Sequence, residues 1–126
     1  MKFTVQEKVL NTSFLEAYNT IKEQIVSHGF LLLHEIDTTQ IVSKHGIDIA
    51  PLKQLLFFDP KYISQIMDSD YLAINDIPLK FVISYKGERT TSISYQNPAK
   101  NLTDYNLKNS IKEELLERVQ ALLEDL

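Results

Sequence analysis

The chain has 126 residues, 44% hydrophobic and 24% charged, enough apolar side chains for one core and too short a length for several domains. It contains no cysteine, which excludes a disulfide framework, a thiolate nucleophile, a zinc-thiolate site and an iron–sulfur cluster. Lys and Arg number 13 against 17 Asp and Glu, for a formal charge of −4, and this balance opposes non-specific binding to nucleic acid or anionic membranes.

The amino-terminal segment Met1–Lys8 lacks the apolar stretch of a secretory signal, and no segment approaches roughly 18 uninterrupted apolar residues. A soluble cytoplasmic protein with no membrane partner is expected. Phe3-Thr4-Val5 starts a short strand that Asn11-Thr12-Ser13 ends. Ser13 and Glu16 have capping-box spacing, and Phe14, Tyr18, Ile21 and Ile25 recur as one helical face up to the stop at His28-Gly29.

Phe30-Leu31-Leu32-Leu33-His34-Glu35-Ile36 starts as a continuous apolar run and reads as a buried central strand. Asp37 is placed to cap a short helix through Ile41 and Val42 that finishes at Lys44-His45-Gly46. Pro51 opens a strand, Leu52 to Phe58, with apolar residues on both faces, so it should be internal or covered. Asp59-Pro60 then starts a helix with a cap and a first-turn proline, and Ile63, Ile66 and Met67 form its buried stripe. Tyr71 to Ile74 could form a short helical turn before Ile77-Pro78.

Leu79, Phe81, Ile83 and Tyr85 alternate with Lys80, Val82, Ser84 and Lys86, and Thr91, Ile93 and Tyr95 with Thr90, Ser92, Ser94 and Gln96; with the turn at Lys86-Gly87-Glu88 they predict a β-hairpin with one apolar and one mostly polar face. Asn97-Pro98 ends it. After a polar loop, Ser110 and Glu113 predict a second capping box, for a last helix whose wide stripe includes Ile111, Leu115, Val119 and Leu122. The order β-α-β-α-β-α-β-β-α predicts one domain over 1–126: an α+β two-layer sandwich, its sheet mixed or antiparallel, with helices mainly on one face.

No catalytic constellation assembles from this pattern. His28 and His45 precede glycines at helix ends, where a cation meets the helix dipole favourably. His34 sits in a predicted strand on the face of Phe30, Leu32 and Ile36, opposite Glu35; it is either a satisfied histidine or a ligand-facing one at a strand end. Asp37 and Asp59 have capping work. Asp68, Asp70 and Asp76 lack the pattern of a calcium loop and read as a solvated cluster, so no metal site is expected. No Ser stands in a nucleophile elbow, and the three glycines are too few for a phosphate-cradling loop. Lys80, Lys86, Arg89 and Lys100 read as a solvated face rather than a nucleic-acid patch. Among Phe57, Phe58, Tyr85 and Tyr95, rings that a one-sided helix layer leaves uncovered must meet a partner or line a pocket.

The series Gly29 to Asp37, Lys44-His45-Gly46-Ile47, Pro51, Leu55 to Pro60 and Ile77-Pro78-Leu79-Lys80 resembles the domain of unknown function 302 family. The resemblance extends from the first helix to Tyr95-Gln96-Asn97-Pro98. It implies a compact α+β domain similar to the half-repeat of the TATA-binding-protein fold, and homodimers; it implies no activity and no cofactor. The family's usual Gly-Asn-Pro after the third strand stands here as Phe58-Asp59-Pro60, so a pocket opening there in relatives meets a bulky ring. The leading expectation is a non-enzymatic homodimeric binding or accessory domain. The alternative is a small-molecule sensor or small enzyme with a cleft near His34, Asp37 and Lys80, and the ligand-binding candidates are His34, Asp37, Lys80 and Tyr95. Nucleic-acid binding by fold analogy ranks last, because function belongs to the site.

Overall fold

The computed structural model describes residues 3–126; Met1 and Lys2, the start of the segment read for a targeting signal, lie outside the described residues. Strand β1 (Val5–Leu10) leads through a turn to helix α1 (Phe14–Ser27). The Ser13 hydroxyl accepts the Glu16 N–H at 3.2 Å, filling one of the donors a helix start leaves unpaired. Ala17, Ile21 and Ile25 are the buried face of α1, and Gly29, at φ +82°, stops it in the left-handed conformation.

Strand β2 (Leu31–Asp37) runs into helix α2 (Thr38–Ser43), where the Asp37 carboxylate accepts the Gln40 N–H at 3.0 Å. After β3 (Leu52–Phe58), Asp59 caps a 3-10 turn over Pro60–Tyr62 that continues as helix α3 (Ile63–Asp70). A second 3-10 turn, Tyr71–Asp76, precedes the hairpin of β4 (Leu79–Gly87) and β5 (Thr90–Gln96). Helices α4 (Pro98–Asn101) and α5 (Asn109–Glu124) complete the described chain.

The five strands form one sheet in the order β1-β5-β4-β3-β2, antiparallel throughout. This is the expected two-layer α+β fold. Cross-strand pairs Leu55–Phe81, Ile83–Ile93 and Phe81–Tyr95 define one face. Tyr18 of α1 donates to Glu35 on that face, and Lys8 on the same face donates to the Leu123 carbonyl of α5 at 2.5 Å, so both helices lie over it. Ile21, Ile25, Leu115 and Leu122 meet Leu55, Phe57, Phe81, Ile83 and Ile93 in the fully buried core. The Phe57 ring packs 5.1 Å from Phe30 and 4.6 Å from Phe81, within the favourable range for offset and edge contacts. On the opposite face Val5 and Val9 are 43% and 54% exposed, and Leu56 and Val82 are half-buried.

Several expectations are corrected. The Phe30–Ile36 run is an edge strand, not a central one, because β2 pairs only with β3; Leu31 and Leu33 are 52% and 48% exposed. His34 does not share the face of Leu32. A register shift between them makes Leu33 a bulge, so that Leu32 opposes Phe57 on the helix-covered face while His34 opposes Leu56 on the open one. Met67 is exposed, leaving Ile66 as the buried residue of α3. Ser110 caps nothing: α5 starts at Asn109 behind an extended Lys108 that makes no side-chain cap bond, which puts Ser110 inside the first turn. The segment read as a polar loop contains α4, capped by Asn97, whose side chain accepts the Lys100 N–H at 3.1 Å. Phe58 is buried and packs against Tyr62, filling the place where the family resemblance raised a pocket.

Candidate functional site

The clearest concavity is a cleft of about 410 Å³ where β4 begins and β5 ends. Two polar segments frame it. One is the end of the 3-10 turn, Asn75 and Asp76, with Ile77-Pro78; the other is α4, through Pro98 and Asn101. Its floor comes from the sheet. Leu56 opposes Lys80, Val82 opposes Ser94 and Val5 opposes Gln96, so Val5, Leu56, Lys80, Val82 and Gln96 all reach the cleft from the open face. Tyr95 and Leu79 line it from the covered side.

The structure therefore brings Lys80 and Tyr95 together in one lining and separates the other two candidates. His34 and Lys80 flank Leu56 in a single cross-strand row, roughly 10 Å apart at two strand spacings, and His34 is not part of the lining. Asp37 lies at the far end of β2, opposite Lys53, where a broader depression of about 500 Å³ also contains Phe14, Thr39 and Gln40. Its carboxylate is engaged in capping α2. No single cleft holds His34, Asp37 and Lys80.

The polar groups of the cleft are oriented by neighbours outside it. Asp76 accepts the Tyr105 hydroxyl at 2.5 Å, and this hydrogen bond is the main reason the Tyr105 phenol is held above its ordinary range. Gln96 accepts the Thr4 hydroxyl through Oε1 at 3.1 Å, which leaves its amino group to donate. Asn75 donates to the Leu72 carbonyl at 2.9 Å, leaving its carbonyl oxygen to accept. Burial pushes the Tyr95 phenol up, so it is a neutral donor at ordinary pH. Lys80 is exposed and joins none of the ion pairs among the described residues. Asp76, Gln96, Asn75 and Asn101 escaped sequence reasoning, since Asp76 reads as a member of a solvated acidic cluster and the amides carry no spacing signal.

Two other polar clusters are structural. Tyr18 donates to Glu35, Lys22 lies 3.1 Å from the same carboxylate, and the Lys53 ammonium sits 3.9 Å over the Tyr18 ring. The Tyr18 hydrogen bond, followed by Lys22, holds the Glu35 carboxyl below its usual range. These contacts tie α1 to the edge of the sheet. The second cluster joins Arg118, Asp59, Tyr62 and Glu114 around the start of α3. Among the described residues no group of three His, Cys, Asp or Glu could hold a metal ion, and no helix is long and apolar enough to cross a membrane.

A two-layer α+β domain with one polar-lipped cleft at the end of its sheet defines the class. The family described as Domain of unknown function DUF302 matches residues 5–126, and the chain belongs to that family. It is similar to an uncharacterized conserved DUF302 protein from Bacillus stearothermophilus, known from a crystal structure, at 20% identity with a TM-score of 0.86 over 98% of each chain. At that identity the likeness establishes the fold alone. No curated protein matches the chain, and the family carries no specific activity to transfer.

Proposed function

We propose that the chain is a non-enzymatic homodimeric binding domain, in which two copies bring their open sheet faces together and the cleft at the end of that face takes a small ligand. One observation carries this reading: Val5, Leu56 and Val82 belong both to the uncovered face and to the cleft wall. An aliphatic surface on an open sheet is characteristic of a covered interface. Its chemistry suits a second copy. Across the three central strands that face carries Leu52, Gln54 and Leu56, Lys80, Val82 and Ser84, and Ser94 with the buried Ser92, and β1 adds Val5, Val9 and Glu7, whose carboxylate accepts the Ser92 hydroxyl. A two-fold contact apposes the same patch on both copies, so a largely apolar face whose charges on these strands, Lys80 and Glu7, are of opposite sign favours self-association over docking to a strongly charged partner. Nucleic acid fits poorly a face with so little positive charge.

The lining offers groups suited to holding a ligand: Lys80, Asp76, Tyr95 and Gln96. Sedimentation equilibrium at micromolar concentration tests the assembly. The expected mass is twice the 14.6 kDa of the chain; a single-chain mass across that range contradicts the proposal.

A further inference from the structure

We propose that the cleft binds a small zwitterion of the free amino acid class with an aliphatic side chain, its carboxylate on Lys80 and its ammonium on Asp76. The proposal rests on the cleft being a ligand site and names what that site takes.

Lys80 and Asp76 line the same cleft, yet no ion pair joins them, and neither pairs with another charge among the described residues. Opposite charges held apart over one concavity are what a doubly charged guest bridges. A bare anion gains Lys80 but meets the Asp76 carboxylate, and a bare cation meets the reverse; a molecule carrying both charges satisfies both through charge-assisted hydrogen bonds. The Tyr105 hydroxyl occupies Asp76 Oδ2, which fixes the carboxylate and leaves Oδ1 to receive an ammonium. The amino group of Gln96, left free by the Thr4 contact at Oε1, adds a neutral donor suited to the carboxylate end.

The body of the guest follows from the walls. Val5, Leu56 and Val82 give the cleft an aliphatic side, which rewards burial of a branched apolar side chain by roughly 25 cal/mol per Å² removed from water. The volume of about 410 Å³ is toward the small end of the roughly 300–1,000 Å³ spanned by small-molecule clefts. That suits a compact metabolite.

Isothermal titration of the full chain with three matched probes tests this: leucine, 4-methylpentanoate, which lacks the amine, and 3-methylbutylamine, which lacks the carboxylate. Leucine is expected to bind about tenfold or more tightly than either relative. Lys80→Met and Asp76→Asn should each lose leucine affinity by a similar factor, and Asp76→Asn should bind the carboxylate probe better than the unaltered chain does. The amide that Asp76→Asn introduces can still accept the Tyr105 hydroxyl, and an unchanged melting temperature checks that the variant is intact. Equal binding of leucine and 4-methylpentanoate overturns the zwitterion while leaving a ligand site for monocarboxylates. Silence from all three probes also overturns it. The ligand-site reading itself falls if, in addition, native mass spectrometry of undialysed protein shows no mass beyond that of the protein alone.

Discussion

The Arg118 guanidinium donates to the Asp59 carboxylate at 2.8 Å, joining α5 to the turn that follows β3. The same guanidinium donates to the His28 carbonyl at 3.0 Å and to the Tyr62 hydroxyl at 2.9 Å, and it lies 4.1 Å over the Phe30 ring. One side chain thus holds the end of α1, the entry to β2 and the start of α3 to the last helix. Arg118→Met keeps most of the aliphatic packing but leaves these acceptors without their donor. It should cost about 2 kcal/mol, read as a lower urea midpoint at neutral pH with an unchanged slope.

Acid should weaken the same junction. Burial by itself would raise the Asp59 carboxyl, but the Lys61 N–H and the Arg118 guanidinium overcome it and hold the group below its ordinary value. A carboxyl with a depressed folded pKa contributes stability that is fully present above its unfolded value, about 3.9, and is lost as the pH falls through the folded one. Unfolding midpoints measured from pH 6 downward should therefore decline below about pH 4. Arg118→Met should decline less steeply over that range, since it starts with less of the linkage to lose.

The two left-handed glycines should differ. Gly46, at φ +75°, has open space where a Cβ would stand, whereas a Cβ on Gly29, at φ +82°, would meet Arg118 Nη2 at 3.2 Å. Gly46→Ala should cost about 1 kcal/mol from the backbone alone. Gly29→Ala should cost about twice that, because it also displaces the Arg118 donor from the His28 carbonyl. Equal losses in paired urea titrations would mean that Arg118 moves aside freely.

A charge on the open face should separate the subunits without unfolding them. Val82→Glu buries a carboxylate from each copy in an aliphatic contact that offers it no partner. The expected result is a single-chain mass in sedimentation, with a far-ultraviolet spectrum like that of the unaltered protein.

The hairpin of β4 and β5 was legible because Leu79, Phe81, Ile83, Ile93 and Tyr95 alternate with residues that, Val82 apart, are polar, and a two-residue period has one structural meaning at that length. The caps at Ser13, Asp37 and Asp59 were legible for a local reason: each needs only its own side chain and an N–H two or three residues on. The rank of β2 in the sheet was not. Leu31, Leu32 and Leu33 look the same in an edge strand as in a central one, and only the pairing partners decide. Nor does anything local announce the bulge at Leu33, which turns His34 away from Leu32. The cleft was half legible. Lys80 and Tyr95 stand in the hairpin, but Asp76 joins them only because Ile77-Pro78 carries the 3-10 turn back to the start of β4.

Two copies meet through their open sheet faces, and a spin label at Glu88, in the exposed turn between β4 and β5, tests this most directly. The chain has no cysteine of its own, so Glu88→Cys gives one labelled site per copy, outside the paired strands of the open face. Double electron–electron resonance should report one narrow distance between the labels, and that distance should vanish when Val82→Glu is added. A labelled protein that shows no dipolar coupling at micromolar concentration would contradict the account.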